Sequence, residues 1–208
     1  MLMFEFMVKL STTTWKNRNY HRLKRVKEEA IKLGLYQPVI IDIGPGGLVK
    51  NLFNYFPAGK KDDWTTQEKL MRGIIRLIEN PLRKTGLFEL ETSEPREIAD
   101  MFEDLHPKKI YIVDSEPKVI ESVKRIVHSN RLSIPFDYML TDIALQQIPC
   151  KGDIVISYFV TERTNNFQKS LETISNSVNK GGLLSTTGID TGVLGFVKLN
   201  EGVYLKKV

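Results

Sequence analysis

The stretch that decides the fold is Pro38-Val39-Ile40-Ile41-Asp42-Ile43-Gly44-Pro45-Gly46-Gly47. Val39, Ile40, Ile41 and Ile43 are β-branched, so their side chains are stiff and suit a pleated, packed surface. The run is short and bounded by Pro38 and Gly44, and it reads as a strand buried on both faces. The glycines that follow let the backbone turn tightly and approach a bound group closely. Residues 48–56, LVKNLFNYF, read as a helix whose first N–H groups would face that turn and suit an anion. A glycine turn after a strand also occurs with no ligand, so the rest of the chain must decide.

Working outward, the region before this strand reads as a helix over 13–33. Leu23, Val26, Ala30, Ile31 and Leu33 recur near the helical period, and Gly34 stands where a helix ends. Downstream, strands are expected at 109–113, 136–140, 153–160 and 183–188. Helices are expected at 117–128 and 166–179. The segments FVKL and VYLKK, joined by Asn200-Glu201-Gly202, read as a closing hairpin. Strands alternating with helices predict a parallel sheet covered on both faces. Right-handed crossovers then place the strand C-termini on one edge, where such sheets bind ligands. Residues 57–107 interrupt the pattern, with helices expected at 64–80 and 95–105 and GLFELE between them. They read as a helical insertion in a single domain over 1–208, acting as a lid or as an oligomerisation surface.

Length and composition fit this reading. The 208 residues are 41% apolar and 26% charged, near the globular average. No stretch reaches the ~18 apolar residues of a membrane span. The start, MLMFEFMVKL, contains Glu5 and lacks a basic flank, so a signal peptide is rejected and a cytoplasmic location is expected. The single cysteine, Cys150, excludes an internal disulfide framework and a multi-cysteine zinc site, and no metal is expected. The net charge is +5, and residues 11–34, with seven basic and two acidic side chains, carry all of it. This basic N-terminal helix could attract an acidic partner such as nucleic acid, with Trp15 and Tyr20 available to stack. The alternative is a solvated helix whose apolar stripe packs on the sheet. Residues 60–84 carry +3 and residues 85–107 carry −6, so the insertion is itself polarised.

The strand ends hold the chemistry. The first strand ends at Asp42-Ile43-Gly44 and the second at Asp114-Ser115, where a carboxylate can accept two bonds from a ribose diol. The third ends at Thr141-Asp142-Ile143, where a carboxylate could accept from an exocyclic amine. Each acid alone is more often a helix cap or a solvated loop residue than a ligand-binding group. Three in this order are harder to attribute to chance.

At this point the chain resembles the class I S-adenosylmethionine-dependent methyltransferases. VIIDIGPGG is similar to that family's first motif, hhDhGxGxG. IYIVDSEP looks like its acidic second-strand motif and MLTDIAL like its third-strand motif. DIVISYFVTER and NKGGLLSTTG look like the fourth and fifth strands. The resemblance covers residues 36–56 and 108–208. It implies a three-layer Rossmann-like fold with a mostly parallel seven-stranded sheet and an antiparallel C-terminal hairpin. It implies S-adenosylmethionine as cofactor. Asp42, Gly44, Pro45, Gly46 and Gly47 would line the methionine end, and Asp114 with Ser115 would hold the ribose. Asp142 and the backbone of Ile143 would contact adenine. Ser157 would lie near the sulfonium, with Tyr158 and Glu162 as the catalytic candidates of the acceptor site.

Three features depart from the family pattern. Leu48 replaces a glycine of many members. Asp42 and Asp114 are 72 residues apart, where roughly 20 is usual in related nucleotide folds. The helix before the terminal hairpin has no room in DTGVLG. The rival reading, a nicotinamide dehydrogenase, would need GxGxxG, whose third glycine falls on Val49. A non-catalytic adenosyl- or nucleic-acid-binding protein on the same scaffold is the other alternative.

Methyl transfer is an in-line displacement that needs orientation more than a triad. The acceptor stays open among small molecules, proteins and RNA. Ser157-Tyr158-Phe159-Val160 lacks the Asp/Asn-Pro-Pro-aromatic signature of enzymes that methylate base amines. Pro149-Cys150 precedes the fourth strand, where a cytosine-directed nucleophile would follow it. The oligomeric state is not specified by the sequence.

Overall fold

The computed structural model describes residues 20–45, 94–158, 164, 166–186 and 195–208. Helix α1 covers residues 20–32, and the expected residues 13–19 of it lie outside the described residues. Leu23, Val26 and Ala30 of the expected stripe are fully buried, but Ile31 and Leu33 are exposed: Ile31 lies about 100° round the helix from Ala30, and Leu33 follows the last helical residue. Gly34 takes φ +67°, and Gly34 N–H and Leu35 N–H donate to the carbonyls of Ile31 and Ala30 at 3.0 and 2.9 Å. This is a Schellman ending, in which a left-handed residue lets the chain fold back on the last carbonyls.

The strands are β1 (Val39–Ile43), β2 (Lys109–Asp114), β3 (Phe136–Leu140), β4 (Gly152–Ser157), β5 (Val178–Thr186), β6 (Phe196–Asn200) and β7 (Val203–Lys206). The described helices after α1 are α2 (Glu94–Phe102), α3 (Pro117–Ser129) and α4 (Phe167–Ser177). The strands form one seven-stranded sheet in the order β3-β2-β1-β4-β5-β7-β6. Strands β1 to β5 pair in parallel, and β7 is antiparallel to both β5 and β6.

The register aligns Ile40 with Ile110 and Ile154. Together with Ile112, Ile156 and Leu183 these residues face α1, α2 and α3. The alternate set, Ile41, Ile43, Val113, Val155 and Leu184, packs with Ile174 of α4 on the other face. The three-layer, mostly parallel α/β architecture expected from the sequence is the one observed. Among the described residues, no helix is long and apolar enough to cross a membrane.

Two segments differ from expectation. Residues 94–105, read as the end of a lid-like insertion over 57–107, are part of the core. Ile98, Ala99, Phe102 and Leu105 are buried in the cluster beneath α1 and α3. They belong to the β1-to-β2 crossover, and Lys27 of α1 pairs with Asp104 at 2.8 Å. Residues 57–93 of that stretch lie outside the described residues, as does the helix expected at 48–56.

The second difference is at β5, which begins at Val178 directly after α4 rather than after Gly181-Gly182. Gly152 pairs with Val178 and Ile154 with Leu183, so a bulge absorbs the extra residues. Burial of Val178 and a 2.8 Å bond from Asn179 Nδ2 to Asp153 Oδ1 hold the early strand in place. Asp153 Oδ2 also accepts from Val39 N–H at 2.9 Å, which ties β1, β4 and β5 together at their starts.

Lys206 secures the join between α4 and β5. Its Nζ donates to the carbonyls of Ser175 and Val178 at 2.7 and 2.9 Å. Burial, with Lys151 and Lys180 adding repulsion, pushes this ammonium below its ordinary pKa.

Two variants test these joints by chemical denaturation. Gly34→Ala meets no steric obstacle, so it isolates the cost of a side chain at positive φ, about 1 kcal/mol. Lys206→Met keeps the aliphatic stem but leaves two carbonyls without their donor, and is expected to lower stability by about 1–2 kcal/mol.

Candidate functional site

Parallel pairing brings the ends of β1, β2 and β3 to one edge. Ile43 is in register with Val113, so Asp114 stands one residue past the pair and beside Gly44. Gly44 N–H donates to Val113 O at 2.7 Å. Its φ of +69° is a conformation that glycine adopts without cost, which explains the residue at the turn. Pro45 follows it, buried.

Asp42 and Asp114 are 1% and 5% exposed, unusual burial for carboxylates. Alternation turns both toward the α1 face of the sheet, with Ile40 and Ile112 below them. Asp114 Oδ1 accepts from Glu116 N–H at 2.8 Å, which fixes the carboxylate and the approach to α3. Pro117 begins that helix, where its missing N–H costs nothing. Ser115 is exposed.

Thr141 N–H donates to Asp114 O at 2.9 Å and joins the end of β3 to this turn. Asp142 Oδ1 accepts from Ala144 N–H at 2.9 Å, and its carbonyl accepts from Leu145 and Gln146 at 3.0 and 2.8 Å. Asp142 is exposed, whereas Ile143 packs into the core with Ile148. The acids read from the sequence therefore stand at the ends of three adjacent strands.

At the end of β4, Ser157 and Tyr158 are both buried and point to opposite faces. The Tyr158 hydroxyl lies 2.7 Å from Ser185 Oγ, and the Arg22 guanidinium sits 5.4 Å from the centre of the tyrosine ring. Tyr158, expected as a catalytic candidate, thus has its hydroxyl engaged within the protein. Gly46, Gly47 and Glu162 lie outside the described residues.

Ser185 was not singled out by the sequence, and Arg22 was read only as part of a basic surface for an acidic partner, not as a neighbour of Tyr158. Arg22 was one cation among seven in its stretch. Only the stripe at 23, 26 and 30 hints that position 22 borders the buried face. Ser185 is visible only once β5 is known to alternate against β4.

The charge of α1 is largely engaged by the fold. Arg25 pairs with Glu201 of the β6–β7 turn at 3.0 Å and holds that carboxyl below its usual range. Lys32 pairs with Glu29 at 2.7 Å, and Lys27 with Asp104. Cys150 lies before β4, at the opposite edge from the acids. Burial pushes its thiol up, away from the thiolate a nucleophile needs.

No protein-family model matches the chain, and no curated protein matches it. Solved structures do. An S-adenosylmethionine-dependent methyltransferase from Clostridium acetobutylicum is 14% identical with a TM-score of 0.45, over 80% of this chain and 49% of that one. The N-methyltransferase NodS from Bradyrhizobium japonicum, solved with S-adenosyl-L-homocysteine, is 11% identical with a TM-score of 0.41, over 77% and 58%. The YcgJ protein from Bacillus subtilis is 12% identical with a TM-score of 0.46, over 84% and 54%.

The chain spans between 35% and 61% of the length of such structures. The fold is therefore described by its own strand order and direction. A parallel β3-β2-β1-β4-β5 sheet, with β7 inserted antiparallel between β5 and β6, is the mostly parallel seven-stranded architecture with an antiparallel C-terminal pair that was expected from the sequence.

Proposed function

We infer that this protein is an S-adenosylmethionine-dependent methyltransferase. The observation that carries the reading is the row of acids at adjacent strand ends, Asp42, Asp114 and Asp142, beside the left-handed Gly44. A dinucleotide site would use the glycine turn and the second-strand acid, but it has no equivalent use for Asp142.

The residues present fit an adenosyl group. The Asp114 carboxylate, buried and held at Oδ1 by the Glu116 N–H, is an acceptor of the kind to which a ribose diol donates. Asp142 and Ile143 would meet the adenine edge. Asp42, Gly44 and Pro45, with Gly46 and Gly47, would hold the methionine end. When bound, S-adenosylmethionine supplies a methyl group already activated on a sulfonium. The protein's own contribution is then to orient the acceptor for in-line attack and to exclude water.

The acceptor would approach past the end of β4, where Tyr158 forms a wall and Glu162 follows in the chain. The long connection from β1 to β2 is proposed as the cover of that site. Residues 11–34 are proposed as the surface that meets an acidic acceptor or partner, and the cytoplasm as the compartment.

A thermal-shift panel with S-adenosylmethionine, S-adenosylhomocysteine and NAD tests the reading. An adenosyl ligand at 100 times its dissociation constant should stabilise the protein by about 2.7 kcal/mol. Asp114→Ala should lose most of that shift while remaining folded. Silence from both adenosyl ligands, or a shift with NAD alone, would overturn the assignment.

A further inference from the structure

The sheet edge opposite the strand-end acids gathers three lysines. Gly152 pairs with Val178 and Ile154 with Leu183, so residues 179–182 of β5 stand against Asp153 alone. Such a bulge turns its extra residues out of the ladder. Lys180 is exposed there, and Gly181 takes φ +75° with nothing within 4 Å of where a side chain would begin. Lys151, also exposed, directly precedes Gly152, the partner of Val178. Lys206 reaches the same place from β7, its Nζ 2.9 Å from the Val178 carbonyl. Burial is the main reason its ammonium titrates below the ordinary range, and Lys151 and Lys180 are close enough to add to it.

Only Lys206 has a task inside the fold. It caps the carbonyls of Ser175 and Val178 and uses two of its three N–H donors on them. Lys151 and Lys180 add nothing to that cap, and neither makes a hydrogen bond or ion pair among the described residues. The nearby carboxylate, Asp153, is spent elsewhere. Its Oδ1 and Oδ2 accept from Asn179 and Val39, and it pairs with none of the three lysines. Two further positive charges beside a half-buried ammonium repel it, and glutamine at 151 or 180 would avoid that. An anion among the three turns the repulsion into attraction.

The lysines also indicate which anion. Arginine's planar fork matches a carboxylate, whereas lysine is a compact point charge with rotatable donors. Three such heads from three strands suit a tetrahedral group carrying charge on several oxygens. We propose that Lys151, Lys180 and Lys206 bind a phosphoryl group, as free phosphate or as a phosphomonoester. The site lies at the start of β4 and β5, and it stands independently of the methyltransferase reading. When filled, it fastens the join between α4 and β5 from outside.

Calorimetry with inorganic phosphate tests this, in a chloride background of matched ionic strength so that general screening cancels. The titration is run with saturating S-adenosylhomocysteine and again without it. One phosphate per chain should bind in both. Lys151→Gln/Lys180→Gln should weaken binding about tenfold, the size of one charge-assisted contact, and should not lower the Tm in chloride. Lys108→Gln removes an exposed lysine near the start of β2 and should change nothing. By NMR, phosphate should raise the pKa of Lys206 in the wild type, since a neighbouring anion favours the ammonium, and leave it in place in the double variant. Glycerol 3-phosphate separates the two sources: tighter binding than phosphate assigns a phosphomonoester, and equal or weaker binding assigns the free ion.

Phosphate that binds no better than chloride overturns the proposal. So does full affinity in the double variant, an unmoved Lys206, or binding that S-adenosylhomocysteine abolishes, which would put the phosphate at the glycine turn. Protein that ignores S-adenosylhomocysteine but binds phosphate as described loses the methyltransferase reading and keeps this site.

Discussion

The position of β1 between β2 and β4 is the constraint from which the site follows. Asp42 is in register with Ile112 on one side and Ile156 on the other. A strand buried on both faces and paired on both edges cannot slip by one residue, because its apolar column would move to the wrong layer. The acid at its end is thereby fixed against the end of β2, and the polar end of β4 stands on its other side. The chain runs from β1 outward through β2 to β3 and then crosses back to β4 on the other side of β1, and the crevice at this change of direction is where the candidate residues collect.

Much of this was legible because it depends on local pattern. β-branched runs bounded by glycine and proline marked β1, β2 and β4. The spacing of Leu23, Val26 and Ala30 marked the buried face of α1. The strand-end acids were found because topology, once guessed, says where strand ends go. Other features were not legible, because they depend on partners distant in the chain. Arg25 and Glu201 are 176 positions apart and meet only when α1 lies across the β6–β7 turn. The start of β5 was misplaced because Val178 and Asn179 continue a helical pattern until Asp153 captures Asn179. Residues 94–105 were grouped with an insertion because the wide spacing from β1 suggested one. Their burial shows that the crossover to β2 reaches back into the core.

The excess positive charge takes on a different meaning in the folded chain. Arg22, Arg25 and Lys27 are each committed to a contact with a separate part of the molecule: the end of β4, the terminal hairpin and the crossover before β2. The basic face of α1 therefore works as a clamp. Exposed ion pairs contribute little singly, so the buried stripe does most of the holding and the cations set the helix's orientation. That orientation keeps the guanidinium of Arg22 at the same edge as the acids.

The bond from Val39 N–H to Asp153 joins residues 114 positions apart, and β1 meets β4 over the same interval. Pairing across such a distance must close a long loop before it gains any stabilisation, and it slows folding. During synthesis β1 is made well before either neighbour. An apolar, β-branched run waiting that long is an aggregation hazard. Asp42 places one charge inside Val39–Ile43, next to last in the strand. A charge within such a run works against self-association of the bare strand until β2 and β4 cover it.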